Sequence, residues 1–190
     1  MHPRTIENLW KDIPGTEWND WKWQMRNRVC TLAGLSRAIA LTPEEEAGIR
    51  REEDRLPMAI TPHFLSLIDP DNPDCPLRRQ VVPRIEEHFL CSRDMDDPCG
   101  EEKDSPVPRV VHRYPDRVLL IATEACVSYC RYCTRKRIVG TTQRSISREE
   151  LAGACSYIAG NRRIRDVLVS GGDPLIFCDD RLEAILKALR

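Results

Sequence analysis

Apolar side chains recur every three or four positions across residues 18–37, which is the spacing of one face of an α-helix. The apolar stripe consists of Trp18, Trp21, Met25, Val29, Leu32 and Leu35. Trp23 and Cys30 lie nearly opposite this stripe, so the pattern predicts a single helix with two apolar edges. Two such edges need two packing partners, and these are either parts of the chain's own domain or another subunit.

The following segment predicts short helices. Thr42-Pro43-Glu44-Glu45 is a capping box with proline at the first helical position, and it predicts a helix that runs to about Arg55. This helix has few apolar residues and is expected at the surface. Six prolines between residues 56 and 84 predict short turns and extended pieces, one of which spans residues 61–68. Cys75 has no other cysteine at ligand spacing, so we expect a structural thiol.

The second half of the chain predicts strands that alternate with helices. Residues 91–108 are acidic and contain prolines, which indicates a linker or a draped segment. Val118–Ala122 is a continuous apolar run, typical of a parallel strand that is buried on both faces, and residues 166–170 form a second such strand. Between them, Ser147 opens a capping box and a helix whose packing face includes Cys155. Asp179 is expected to cap the last helix.

This order of elements predicts parallel βαβ units, whose functional residues gather at the carboxyl ends of the strands. We therefore expect an α/β protein with an N-terminal helical region and linker over residues 1–108 and two βα units over residues 109–190. Two such units cannot close a barrel, and the chain stops at Arg190 inside a predicted helix. The sequence is therefore expected to be the truncated, N-terminal portion of a longer protein.

Charge and cysteine content narrow the class of protein. The formal net charge of −1 gives no global field that would favour nucleic acid or a membrane surface as a partner. No apolar run reaches the length of a membrane span, and the first residues lack the apolar core of a signal peptide. Nine cysteines are an odd number, so a reducing, cytoplasmic compartment is a better explanation than a disulfide framework.

The strongest chemical signal is Cys126-Val127-Ser128-Tyr129-Cys130-Arg131-Tyr132-Cys133, which directly follows the first predicted strand. Three thiolates at this spacing, without an obvious local fourth ligand, fit a cubane iron–sulfur cluster with one open iron. Two alternatives stay open at this point. A zinc site could be completed by a ligand from elsewhere in the chain, or the three could be ordinary thiols.

The Cys-x3-Cys-x2-Cys motif resembles that of the radical S-adenosylmethionine (SAM) enzymes, and its surroundings resemble the lysine 2,3-aminomutase family. The similarity runs from about residue 6 to the end of the chain. It rests on Trp18–Gln24, His112–Arg117, the cysteine motif with Thr134–Arg137 behind it, and Ser170–Asp173. The resemblance implies the start of a partial (β/α)6 radical SAM barrel that continues through about six βα units.

The resemblance also implies which residues bind iron and SAM. Cys126, Cys130 and Cys133 would hold a [4Fe-4S] cluster, and its open iron would chelate S-adenosyl-L-methionine, which the reduced cluster cleaves to a 5′-deoxyadenosyl radical. The SAM-contacting residues would be Tyr132, Ser170, Gly171, Gly172 and Asp173. Without the resemblance, the glycine motif is equally compatible with a tight turn and Tyr132 with a packed aromatic ring.

A third set of residues would bind pyridoxal 5′-phosphate (PLP) and the substrate. On their own, Arg113, Tyr114 and Arg117 favour a solvated basic turn, but two guanidiniums suit a phosphate and an aromatic ring suits a pyridine. The resemblance implies that these three contact PLP and that Arg135 pairs with the substrate α-carboxylate. Lys136 and Arg137 are interpreted as surface charge.

The implied activity is that of an isomerase that moves an amino group between C2 and C3 of an amino acid, with L-lysine as the first candidate. The implied partners are an amino-acid substrate, an electron donor such as flavodoxin or ferredoxin, and further copies of the full-length chain. The family's PLP lysine and zinc cysteines lie beyond the matched region, so we expect this chain to be inactive by itself. Alternatives are a glutamate or arginine aminomutase, the branch that modifies a translation-factor lysine, a non-catalytic iron–sulfur or zinc module, and a fragment that does not fold stably.

Overall fold

The computed structural model describes residues 9–51, 56–89, 91–140 and 142–190. The chain forms two compact units. The first comprises Met1–Asp94 together with Val127–Cys133, and the second comprises Met95–Cys126 together with Thr134–Arg190. The domain boundary near residue 108 stays a prediction. Within the described residues, no helix combines the length and the apolar character needed to cross a lipid bilayer.

The first unit is built from short helices. They are α1 (Gly15–Trp18), α2 (Trp21–Arg26), α3 (Leu32–Leu35), α4 (Pro43–Arg51), α5 (Pro62–Ser66), α6 (Pro76–Val81) and a 3₁₀ turn at Ile85–His88. The single helix predicted over residues 18–37 is therefore wrong. Asp20 caps α2 by accepting a hydrogen bond from the Lys22 amide (2.9 Å), and Thr31 caps α3. Between these helices, Val29 pairs with Ile60 in an antiparallel bridge.

The tryptophans do not follow the predicted stripe. Trp23, which was predicted to lie nearly opposite the stripe, is buried. Trp21, which was predicted to lie on the stripe, is 43 % exposed. Trp18 contacts Trp10 and Trp23 with ring centroids 6.0 and 6.1 Å apart. Cys30 is exposed. Because two capping residues break the helix, the helical phase assumed for residues 18–37 does not apply along the whole segment.

Helix α4 begins at the predicted capping box. The Thr42 amide donates to Glu45 Oε2 (2.9 Å) and the Glu45 amide donates to Thr42 Oγ1 (3.3 Å). Its predicted end near Arg55 lies outside the described residues. The expected surface position is wrong for one face, because Glu45, Gly48 and Ile49 are buried. A β-carbon on Gly48 would overlap the backbone of Arg84, so this close approach requires glycine.

The core of the first unit is a set of apolar side chains from four of the helices, the Val29–Ile60 bridge and the segments between them. It consists of Leu35, Ala38, Ile39, Ile49, Met58, Ile60, Leu65, Ile68, Cys75, Val81 and Val82. Cys75 is buried in this set, which confirms that it is a structural thiol. The predicted turn at residues 61–68 is also confirmed, since Thr61 Oγ1 accepts from the Phe64 amide and caps α5.

The second unit contains a three-stranded sheet and two longer helices. Its elements are β1 (Val110–Tyr114), β2 (Arg117–Thr123), α7 (Arg148–Gly160), β3 (Asp166–Gly171), a 3₁₀ turn at Pro174–Ile176 and α8 (Asp179–Ala188). Strands β2 and β3 are parallel with α7 between them, which confirms the βαβ unit. The α7 capping box is confirmed by the Glu150 amide, which donates to Ser147 Oγ (3.1 Å). Cys178, rather than Asp179, holds the N-cap position of α8.

Strand β1 was not predicted from the sequence. It pairs antiparallel with β2, with Val110 opposite Leu120 and Tyr114 opposite Arg117. The segment that carries Arg113, Tyr114 and Arg117 is therefore a β-hairpin. The strand order is β1-β2-β3 and the sheet is open. The core beneath it contains Val110, Val118, Leu120, Ala122, Ile146, Ala154 and Ile185. Half-buried Cys155 lies next to Ala154 on α7, and burial raises its pKa.

Candidate functional site

The cysteine motif begins three residues after β2 ends, at the carboxyl end of a parallel strand as predicted. Cys126 is part of the second unit, whereas Cys130 and Cys133 are part of the first. The Cys133 amide donates to the Cys130 carbonyl (3.2 Å). Burial, and after it the nearby Cys133 thiol, raises the pKa of Cys130. All three thiols are half-buried and free of disulfides.

Within the part of the chain that the structure describes, no three metal-ligating side chains converge on one point. The donor set nevertheless suits iron, because closely spaced thiolates are the usual ligands of iron–sulfur clusters and two of these thiols share one turn. Ligation of a cluster by Cys126, Cys130 and Cys133 stays a prediction.

Residues 127–133 are held in the first unit by a set of contacts that sequence reasoning missed. The Arg131 guanidinium forms an ion pair with Glu87 (2.8 Å) and donates to the Leu56 carbonyl (3.1 Å). The Arg131 amide donates to the Gln80 carbonyl (2.7 Å), and the Tyr129 amide donates to that of Ala59 (3.2 Å). These partners are distant in sequence and carry no local motif, so no signal in the sequence pointed to them.

The ring of Tyr132 is exposed to solvent. Its side chain is 68 % exposed, and its hydroxyl donates to Gln80 Oε1 at 3.3 Å. The alternative interpretation of Tyr132 as a packed aromatic residue is therefore wrong. An exposed ring in the cysteine motif is free to stack on a planar group.

The glycine motif spans the end of β3, whose last two residues are Ser170 and Gly171, so it again lies at the carboxyl end of a strand. Gly171 has φ of +117°, and a β-carbon there would overlap the Thr123 carbonyl, while one on Gly172 would overlap the Ala125 backbone. The Gly172 amide donates to Thr123 (2.7 Å) and the Asp173 amide donates to Ala125 (2.8 Å). Both glycines are thus required by the approach of this loop to the end of β2.

Asp173 and Ser170 occupy half-buried positions on either side of these glycines. The Asp173 carboxylate accepts from the Leu175 amide (3.0 Å) and so caps the 3₁₀ turn. This hydrogen bond uses one carboxylate oxygen, and the other oxygen is available to a donor on a ligand. The motif is the end of β3 followed by a bend at Gly172, and not a tight turn.

The residues predicted to bind PLP and the substrate line one cavity of about 230 Å³ in the second unit. Its walls are Cys99, Glu101, Val111, Arg113, Tyr114, Arg117, Val118, Leu119, Arg135 and Leu168. The β1–β2 hairpin brings Tyr114 opposite Arg117, whose guanidinium carbon lies 6.0 Å from the tyrosine ring centroid. The hairpin and the segment behind the last cysteine therefore contribute to the same site.

Each arginine of this cavity already has an acidic partner. Arg113 forms an ion pair with Asp104 (2.8 Å) and donates to the Cys99 carbonyl. Arg117 forms an ion pair with Asp116 (2.9 Å). The hydrogen bonds from Arg117 and then from Arg165 lower the pKa of Asp116 to about 2.

Arg135 is held from two sides. Its Nη2 and Nε donate to Glu101 Oε1 at 2.7 and 2.9 Å, and its Nη1 donates to the Gly171 carbonyl at 3.3 Å. Glu101 was missed because it lies in the acidic segment that the sequence indicated as a linker. Arg137 is not simple surface charge, since it forms ion pairs with Glu101 and Asp97, both at 3.3 Å.

The cavity suits a small anionic ligand with a flat apolar part. Two guanidiniums on the hairpin can bind a phosphate, and Tyr114 with the apolar wall can face an aromatic ring. The residues therefore fit PLP in chemical type. The cavity volume of about 230 Å³ is below the roughly 300–1,000 Å³ of common ligand pockets.

These features define an α/β protein with a basic cavity beside its sheet and a thiol-rich loop after a parallel strand. No protein-family model matches the chain. It is 49 % identical over 189 residues to L-lysine 2,3-aminomutase of Bacillus subtilis, a match that covers 100 % of this chain and 40 % of that protein. It is 48 % identical over 182 residues to the enzyme of the same name from Clostridium subterminale, covering 96 % and 44 %.

A relative with another name is also similar. Glutamate 2,3-aminomutase of Clostridioides difficile is 40 % identical over 180 residues, which covers 94 % of this chain and 42 % of that protein. The chain belongs to the lysine 2,3-aminomutase family. It spans 39–50 % of the length of the curated relatives reported for it.

Proposed function

We propose that the chain supplies the first two βα units of a radical SAM, PLP-dependent aminomutase with a partial (β/α)6 barrel. The reaction moves an amino group between C2 and C3 of an amino acid, and L-lysine is the first candidate substrate. One observation carries the proposal most directly, namely that Arg113, Tyr114, Arg117 and Arg135 line a single cavity. The names of the relatives support the same activity.

The cysteine loop and the glycine motif have separate tasks in this proposal. Cys126, Cys130 and Cys133 bind the iron–sulfur cluster, which when bound supplies the electron for cleaving SAM. Tyr132 lies open to stack on the adenine. Ser170–Asp173 receives the rest of SAM, with the free Asp173 oxygen as acceptor for an ammonium group.

The cavity binds PLP and the amino acid. Arg113 and Arg117 hold the phosphate and Tyr114 faces the ring, while Arg135 fixes the α-carboxylate by paired hydrogen bonds. PLP, when bound, would supply the conjugated π system that can accept the radical while the amino group moves between neighbouring carbons. The lysines of this chain, at positions 11, 22, 103, 136 and 187, match no PLP-lysine position of the family. We therefore do not expect this chain alone to turn over substrate.

L-glutamate is the second candidate substrate, because a glutamate 2,3-aminomutase is among the relatives. The site residues described here contact the α-carboxylate and the cofactors, which all α-amino acids in this reaction share. They do not discriminate between lysine, glutamate and arginine. A cytoplasmic location, a flavodoxin or ferredoxin as electron donor, and a homo-oligomer stay predictions.

The experiment that tests this proposal is SAM cleavage. The chain is reconstituted anaerobically with iron and sulfide, reduced with dithionite and incubated with SAM, and 5′-deoxyadenosine is quantified by chromatography. We expect 5′-deoxyadenosine from the wild type and from Cys178→Ser, whose thiol is exposed and outside the loop, and none from Cys126→Ser. Bound metal without SAM cleavage would overturn the proposal in favour of a non-catalytic module.

A further inference from the structure

Glu101 is buried beside the proposed substrate residue, with a side chain that is only 7 % exposed. Both of its oxygens accept from arginine, since Arg135 Nε lies 2.9 and 3.1 Å from them and Arg137 Nη2 lies 3.3 Å from Oε2. A buried carboxylate shared by two guanidiniums is costly to move, because displacing it would leave its charge unpaired.

The Arg135 guanidinium has hydrogen-bond partners on two sides. Glu101 takes the edge formed by Nε and Nη2, and the Gly171 carbonyl takes one hydrogen of Nη1. An arginine carries five N–H groups, so one on Nη1 and one on Nη2 have no acceptor among the described residues. These two N–H groups can bind a second carboxylate while Glu101 stays in place.

We propose that Glu101 is a positioning residue, which fixes Arg135 so that its two remaining N–H groups face the cavity and bind the α-carboxylate of the amino acid. This inference rests on the proposed function, because it takes Arg135 as the carboxylate-binding residue. The opposite possibility is that Glu101 occupies the place of the substrate carboxylate and must leave when the amino acid binds.

The acidic segment around Glu101 is well anchored, which favours positioning over exchange. The Glu102 amide donates to Asp97 (2.9 Å), and Ser105 Oγ donates to the Glu101 carbonyl (2.7 Å). Arg137, which is 14 % exposed, forms an ion pair with the half-buried Asp97 at 3.3 Å. A carboxylate held in this way has little freedom to move aside.

The first test is nuclear magnetic resonance of the arginine Nε–H groups, with the Arg135 signal assigned by its loss in Arg135→Lys. In the wild type we expect slow exchange of the Arg135 Nε–H with water, because it is bonded to a buried carboxylate. Addition of L-lysine should shift the Arg135 signals and leave the Nε–H slow. Fast exchange in the free wild type would overturn the positioning role without touching the proposed function.

Two other results of that experiment are also decisive. If L-lysine makes the Arg135 Nε–H exchange fast, Glu101 is displaced and the inference is overturned. If the Nε–H is slow but L-lysine changes nothing at Arg135, the proposed substrate role of Arg135 fails, and the inference fails with it. None of these measurements requires a Glu101 variant to fold.

The second test compares ligands by calorimetry. We expect Glu101→Gln to bind L-lysine about tenfold more weakly, because the amide has no charge to hold the Arg135 guanidinium and its NH₂ group cannot accept from Arg137 as Oε2 does. Its effect on 1,5-diaminopentane, which lacks the carboxylate, should be under about twofold. Glu102→Gln is the matched control and should bind like the wild type, since its side chain is 76 % exposed. Tighter L-lysine binding by Glu101→Gln, or equal loss for both ligands, would overturn the inference.

Discussion

The pairs Arg78–Glu45 in the first unit and Arg135–Glu101 in the second use the same edge of the arginine and have different surroundings. In both, Nε and Nη2 of the arginine donate to the glutamate. Arg78 and Glu45 have side chains only 0 and 1 % exposed, and Arg78 also donates to the Pro70 and Ala40 carbonyls. Arg135 is 21 % exposed and lines a cavity.

The comparison separates a structural arginine from one that can bind a ligand. Arg78 donates to Glu45 and to two backbone carbonyls of the protein, so no edge of its guanidinium is left to bind a ligand. Arg135 lines the cavity and keeps two N–H groups without an acceptor among the described residues, and Glu101 holds its other edge. A third pair, Arg117–Asp116, is the most exposed of the three, with side chains 48 and 31 % exposed.

The largest effect is expected from breaking the buried pair. Arg78→Met leaves Glu45 without its ionic partner in the core and should lower the free energy of unfolding by about 3–5 kcal/mol. Urea unfolding followed by tryptophan fluorescence measures this, because all four tryptophans (Trp10, Trp18, Trp21 and Trp23) belong to the first unit.

Arg79→Met is the matched control. Arg79 is 61 % exposed and lies 3.9 Å from Asp74, so its removal should cost less than about 1 kcal/mol. Equal losses for the two variants would mean that burial does not distinguish these arginines.

A smaller loss is expected at the cavity. Arg135→Met should destabilise the second unit by about 1–2 kcal/mol, because Glu101 keeps Arg137 as a partner. Hydrogen exchange of the β2 and β3 amides measures the change. Lys136→Met, next to it and exposed, should leave the exchange unchanged. A loss as large as that of Arg78→Met would make Arg135 a structural residue.

The sequence does not show which arginines are structural and which can bind a ligand, although it predicts many of the helices and strands. The capping boxes at Thr42 and Ser147, the two parallel strands and the cysteine loop at the end of β2 are local patterns, and they were predicted correctly. Glu101 and Glu87 act through partners 34 and 44 residues away, so no local pattern indicates them. The helix breaks at Asp20 and Thr31 were missed because the apolar spacing hid two capping residues.

The smallest effect is a pH dependence at the exposed pair. Hydrogen bonds from Arg117 and Arg165 hold the pKa of Asp116 at about 2, against an ordinary value of 3.8. A carboxylate with a lowered folded-state pKa stabilises the fold above its ordinary pKa, and this contribution is lost as the pH falls from about 4 towards 2. The difference in melting temperature between the wild type and Asp116→Asn should therefore shrink over that range. Parallel pH profiles would contradict the assignment.

The central claim is that the cysteine loop binds a cluster with an iron open to SAM, and electron paramagnetic resonance tests it most directly. The chain is reconstituted anaerobically with iron and sulfide, reduced, and measured with and without SAM. We expect a cubane signal that changes when SAM is added and that is absent in variants of Cys126, Cys130 or Cys133. Tightly bound zinc without a cluster, or a cluster signal that SAM does not alter, would contradict it.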